Sequence, residues 1–233
     1  MNNEFPTEFK RGVYEAIVRR RDMRNFVSDP VSDEVLARLL MAAHHAGSVG
    51  FMQPWNFIVI RDLAIRKKVH AHVDSERLKA AQTFSGARRE KYLSLKLEGI
   101  LDAPLNLCVT CDPTRNGPSV IGRNTIKESD LYSTCCAIQN LWLSARAEGI
   151  GVGWVSILEQ ETLRTLLGIP DHVIPVAYLC VGHVTHFADR PLLETIDWLP
   201  RLPLSELVFG DQWGDSPSAV LQEQLKKTLV TDA

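Results

Sequence analysis

Arg19-Arg20-Arg21-Asp22-Met23-Arg24 sets four guanidiniums and one carboxylate in a single run. Upstream, Phe9, Val13 and Ile17 recur every four residues, which predicts a helix that runs up to the arginines with one apolar face buried against something else. Cations near a helix C-terminus complement the macrodipole, each contributing about 0.3–1 kcal/mol when exposed, and that alone would explain them. Asp22 does not fit that explanation. A carboxylate at the negative end of a helix is unfavourable unless neighbouring guanidiniums, or a function, keep it there. The stretch therefore reads as an anion site with an acid inside it.

The surrounding chain is 233 residues long and 45% hydrophobic, enough for one sizeable core, and no composition break divides it. One domain over residues 1–233 is expected. A net charge of -2 leaves no broad basic surface for nucleic acid, so the basic run is expected to meet a small anion. No uncharged apolar stretch approaches the roughly 18–20 residues of a membrane span, and Met1-Asn2-Asn3-Glu4-Phe5-Pro6 is no secretory leader. A cytoplasmic protein is expected. Its five cysteines, an odd number, argue for reduced thiols rather than a disulfide framework. Cys108 and Cys111 lie three apart in a strand-like run, on opposite faces, so core thiols are expected rather than a metal or redox pair. His44-His45 and His183-Val184-Thr185-His186 lack partners at metal-site spacing, and no metal is expected.

In order along the chain, Ser32 is the candidate N-cap of a second helix, with Val31 and Leu36 as its staple and Gly47 as its stop. A turn-rich loop from Gly47 to Pro54 leads into Trp55–Ile60, a compact apolar run that reads as a buried strand. Asp62 to about Gly99 is helical with a break around Thr83-Phe84-Ser85-Gly86, where a mobile flap is expected. Pro104 to Cys111 is the second strand, followed by a breaker-rich loop, Asp112 to Pro118, that could cover a site. Leu131, Cys135, Ile138, Trp142 and Ala145 form the stripe of a long core helix ending near Gly149. The alternating glycines of Gly149-Ile150-Gly151-Val152-Gly153 let a flat ligand or another chain approach closely, but the spacing is not that of a nucleotide fingerprint. A short helix from Glu159 to Leu167 and a strand from Val173 to Val184 close the main body. An extension from about residue 191 to 233 carries a polar helix and could embrace a partner. The pattern predicts an α+β fold, helices flanking a central, mostly antiparallel sheet.

Four segments in this order, Arg20 to Arg24, Ser48 to Trp55, Glu148 to Trp154 and Arg201 to Val208, resemble the nitroreductase-like flavoproteins. The resemblance spans most of the chain. It implies the nitroreductase-like fold and an interlocked homodimer with FMN sites at the subunit interface. Matched position by position, it makes Arg20, Arg21, Asp22, Met23, Arg24, Ser48, Gly50, Gln53, Trp154, Val155, Ser156 and Arg201 the expected flavin-binding residues, with Arg190 as a substitute for Arg201.

Three departures narrow the expectation. Asp22 stands where the family usually has Ser, Phe51 where it generally has Asn, and Trp154-Val155-Ser156-Ile157-Leu158 replaces the usual Pro-x-x-Glu-Gly segment. Together they resemble the branch that consumes reduced FMN with O2 instead of recycling it, which implies FMNH2 supplied by a separate flavin reductase. Asp22 is then the candidate base for the ribityl C1′ proton and Ser156 the second catalytic candidate. An NAD(P)H-dependent nitroreductase or flavin reductase, and a flavin carrier without activity, are the alternatives.

Overall fold

The computed structural model describes residues 3–227. They form two compact units, one of residues 21–187 and the other joining the two ends of the chain, up to residue 20 and from residue 188.

The larger unit is built on four antiparallel strands: β1 (Trp55–Ile60), β2 (Leu105–Cys111), β3 (Ile150–Val155) and β4 (Ile174–His183), in the order β1-β2-β4-β3. The predicted α+β layering, helices flanking a central antiparallel sheet, is present. Alternate side chains divide between two cores. Leu105, Leu107 and Val109 of β2, with Leu179 and Val181 of β4, share one cluster with Leu36 and Leu39 of a helix at Asp33–His44 and Ile138, Leu141 and Ala145 of another at Ser129–Ala147. Cys108, Tyr178 and Cys180 join the second cluster with Val69 and Val73 of a helix at Leu63–Ala81 and Leu163 of one at Gln160–Leu167. Because the sheet is covered on both faces, β2 is buried at every position and reads as a continuous apolar run.

With the first helix at Thr7–Arg19 as α1, these are α2 (Asp33–His44), α3 (Leu63–Ala81), α4 (Gly86–Ser94), α5 (Ser129–Ala147) and α6 (Gln160–Leu167); α7 (Leu192–Thr195) and α8 (Ala219–Gln224) follow. Ser32 caps α2 as expected, its side chain accepting from the Val35 amide at 3.3 Å, and both staple residues are buried; the helix stops at His44, ahead of Gly47. The predicted break between α3 and α4 falls at residues 82–85.

Three expectations need correction. In α1, Phe9, Val13 and Ile17 are 60%, 51% and 41% exposed, so that face is only partly covered by the described residues. In α5 the buried face includes Ser133, Thr134 and Ala137, while Cys135 is exposed. The predicted loop from Asp112 to Pro118 continues to the start of α5 at Ser129.

The thiols on the sheet are core residues. Burial pushes Cys108 and Cys180 up to about 12 and Cys111 up to about 11, so they stay protonated near neutral pH and make poor nucleophiles.

Candidate active site

β3 is an edge strand, and an edge leaves unpaired N–H and C=O groups. The chain's own Asp22-Met23-Arg24 closes this one. Asp22 pairs with Val152 in a parallel bridge, and the Met23 amide donates to the Val152 carbonyl at 2.9 Å. One pair further along, side chains replace backbone. The Trp154 amide donates to Asp22 Oδ1 at 2.8 Å, and Arg24 Nη2 donates to the Trp154 carbonyl at 2.8 Å. Arg24 also grips Asp22 with both terminal nitrogens, Nη1 to Oδ1 at 2.9 Å and Nη2 to Oδ2. The carboxylate and guanidinium thus stand in for the missing strand at Trp154.

The glycines of β3 make this approach possible. A Cβ on Gly153 would overlap the Met23 carbonyl oxygen and lie 2.6 Å from Arg24 Nη1. A Cβ on Gly151 would meet only side-chain atoms at close range, Val184 Cγ1 at 2.5 Å and Met23 Cγ at 3.2 Å. The close approach expected at these glycines is made by residues 22–24 of the same chain. Trp142 Nε1 pins the strip from behind by donating to the Arg21 carbonyl at 3.2 Å, and its ring lies 6.3 Å from that of Trp154.

Asp22 is not part of a helix end. α1 stops at Arg19 and the backbone at Arg20 is extended, so Asp22 lies outside the helix. Its side chain keeps 43% exposure while that of Arg24 keeps 14%. The acid faces outward with its charge partner beneath. Ser156, the first residue past β3, is also exposed, whereas Val155 is buried in the second cluster and can offer a ligand only its backbone.

Ser48 Oγ accepts the Gln53 amide at 2.9 Å and so closes the Ser48–Gln53 loop on itself. Beside it opens a hollow of about 310 Å³ lined by His44, Met52, Gln53, Trp55, Phe57, Arg115 and Asn116. His44 Nδ1 accepts from Trp55 Nε1 at 3.2 Å. Arg115 and Asn116 were not among the expected site residues; the breaker-rich loop was the only signal for them. Arg20, Arg190 and Arg201 belong to the smaller unit, the last two exposed.

Among the described residues, His72, Glu76 and Glu159 bring one potential metal ligand each to within 4.8 Å of one another. His72 Nε2 already accepts the Glu159 amide at 2.9 Å, and Lys79 Nζ lies 2.5 Å from Glu76 Oε1, supplying a cation there.

The fold has counterparts among known proteins. Residues 17–183 match the Nitroreductase family, and the chain belongs to it. It is 39% identical over 199 residues to a 5,6-dimethylbenzimidazole synthase of Rhodospirillum rubrum, covering 85% of this chain and 94% of that one. The corresponding enzyme of Rhodobacter capsulatus is 36% identical, at 85% and 96% coverage. In fold, the chain matches iodotyrosine deiodinase bound to FMN and 3-iodo-L-tyrosine with a TM-score of 0.65 at 18% identity, covering 82% of this chain and 95% of that one.

Proposed function

We propose that the protein splits reduced FMN, with O2, into 5,6-dimethylbenzimidazole, the lower ligand of vitamin B12, and erythrose 4-phosphate, the rest of the flavin's pyrimidine ring leaving as a separate fragment. The observation that carries this reading is the outward-facing Asp22 carboxylate, fixed by Arg24 and the Trp154 amide where most of the family has a serine. The likeness to two synthases over 85% of the chain supports it.

The donor set suits a flavin phosphate. Arginines recognise phosphate through charge-assisted, often bidentate hydrogen bonds. In this reading Arg20, Arg21, Arg190 and Arg201 are the candidates for the phosphate. Arg24, committed to Asp22 and to the Met23 and Trp154 carbonyls, orients the acid and offers its charge to the ring. Asp22 takes the ribityl C1′ proton, and Ser156 donates a hydrogen bond to the ring or to bound oxygen. Reduced flavin supplies the electrons for O2, and a separate reductase supplies the reduced flavin.

The test is anaerobic loading with FMNH2, a pulse of O2 and chromatography of the products. Dimethylbenzimidazole should appear in proportion to the flavin lost. Full return of oxidised FMN would mark a carrier, and NAD(P)H-driven nitroarene reduction without flavin loss would mark a nitroreductase. No helix of the described residues is long and apolar enough to cross a membrane.

The exposed apolar face of α1 supports a homodimer, since Phe9, Val13 and Ile17 are only partly covered by the described residues. Light scattering of the flavin-loaded protein should give twice the 26.1 kDa chain mass, and a flavin-competent monomer would exclude the dimer.

A further inference from the structure

Gly50, Phe51 and Gln53 have φ of 57°, 53° and 48°, three left-handed residues within four positions. Glycine accepts that conformation, but a bulky side chain resists it, at a cost on the order of 1–3 kcal/mol. Such a backbone persists only where its surroundings over-determine it. Within the loop, short-range bonds hold it: the Phe51 amide donates to the Ser48 carbonyl at 3.0 Å, the Met52 amide to the Val49 carbonyl at 3.2 Å, the Gln53 amide to Ser48 Oγ at 2.9 Å and Gln53 Nε2 to the Phe51 carbonyl at 3.3 Å, while Ser133 Oγ of α5 accepts the Val49 amide at 3.1 Å.

The stronger grip comes from the loop between β2 and α5, more than sixty residues away in sequence. Asn116 Nδ2 donates to the Met52 carbonyl at 3.0 Å. Arg123 Nη2 approaches Met52 Sδ at 3.4 Å, while its Nη1 donates to the Arg115 carbonyl at 2.9 Å and to the Gly117 carbonyl. A Cβ on Gly50 would overlap the Ile121 carbonyl oxygen and lie 2.6 Å from Val120 Cγ1, so the two loops meet backbone to backbone. Met52 is fully buried, held at both its carbonyl and its sulfur.

We propose that residues 116–123 are a clamp that holds the Ser48–Gln53 loop in its strained shape, with Asn116 and Arg123 as positioning residues and Met52 as the handle they grip. This rests on the reading of that loop as flavin-facing. The clamp sets where Ser48, Gly50 and Gln53 present themselves to flavin, and Arg123 does so without touching it.

Asn116→Asp and Arg123→Gln test this. Asn116 has a φ of 62°, which aspartate tolerates while losing the amide donor. Amide hydrogen exchange of residues 49–53 should speed up in both flavin-free variants while protection of β2 and β4 stays parental, a split that general destabilisation would not produce. The dissociation constant for FMN should rise about tenfold, with product yield per bound FMNH2 kept. Met52→Leu conserves volume and removes the sulfur, so it serves if Arg123→Gln does not fold. Unchanged exchange at 49–53 would overturn the clamp. Faster exchange with parental FMN affinity would overturn the flavin-facing reading of the loop and leave the mechanical link standing.

Discussion

Asp22→Asn should bind FMNH2 and fail to convert it. The amide can still accept the Trp154 N–H through its oxygen, so the strip stays on β3. It cannot accept from both terminal nitrogens of Arg24, whose side chain is only 14% exposed. Losing that charge-assisted contact costs about 1.5–3 kcal/mol of folding stability, reduced towards the lower end because the carboxylate itself is partly solvated. The chemical loss is larger. A positioned base contributes about 10²–10⁴-fold, and the loss should fall on product formation rather than on affinity. A single-turnover O2 pulse at saturating FMNH2 measures it, and a urea titration separates it from the stability change. Near-parental dimethylbenzimidazole yield would remove Asp22 from the chemistry and leave Ser156 as the candidate.

Gly153→Ala should be the most damaging single methyl in the larger unit. Its Cβ meets backbone, the Met23 carbonyl oxygen, and backbone cannot rotate away as a side chain can. The strip must lift off β3, breaking the Met23–Val152 bond and both Trp154 contacts. Overpacking costs about 1–3 kcal/mol, and here it also exposes a strand edge. We expect a fall of about 2–3 kcal/mol in urea unfolding and loss of FMN binding. Gly151→Ala is the control, because Val184 and Met23 can move their side chains, and its cost should be smaller. A Gly153→Ala variant within about 0.5 kcal/mol of the parent would show that the strip is not anchored as described.

Much of the fold could be read from local pattern. Trp55–Ile60 carries its strand character in an unbroken apolar run, and Asp62 and Ser32 mark helix starts through their own side-chain bonds to the first amides. Periodicity finds Ile138, Trp142 and Ala145 on the buried face of α5 but passes over Ser133 and Thr134, because these two are polar. Ser133 Oγ donates to the Ser129 carbonyl at 2.7 Å and Thr134 Oγ1 to the Asp130 carbonyl at 3.0 Å, so each satisfies its hydroxyl inside its own helix and can be buried. Hydrophobic periodicity does not register such residues. The arginine run pointed to a site, yet its attachment to β3 depends on a pairing far along the chain that no local window contains. The clamp on Met52 escaped for the same reason.

That attachment also has a consequence for assembly. Asp22 and the Trp154 amide that it binds are 132 residues apart, and contacts of such long range must overcome a large loop-closure entropy before they are rewarded. During synthesis the acid emerges early and waits, because the strand that gives it a fixed position does not yet exist. The sheet's central pairing of β2 with β4 does not use residues 22–24, so the strip can dock on a framework already formed. In the proposed reading, the acid reaches its working position only when residues 22–24 dock on the edge of β3.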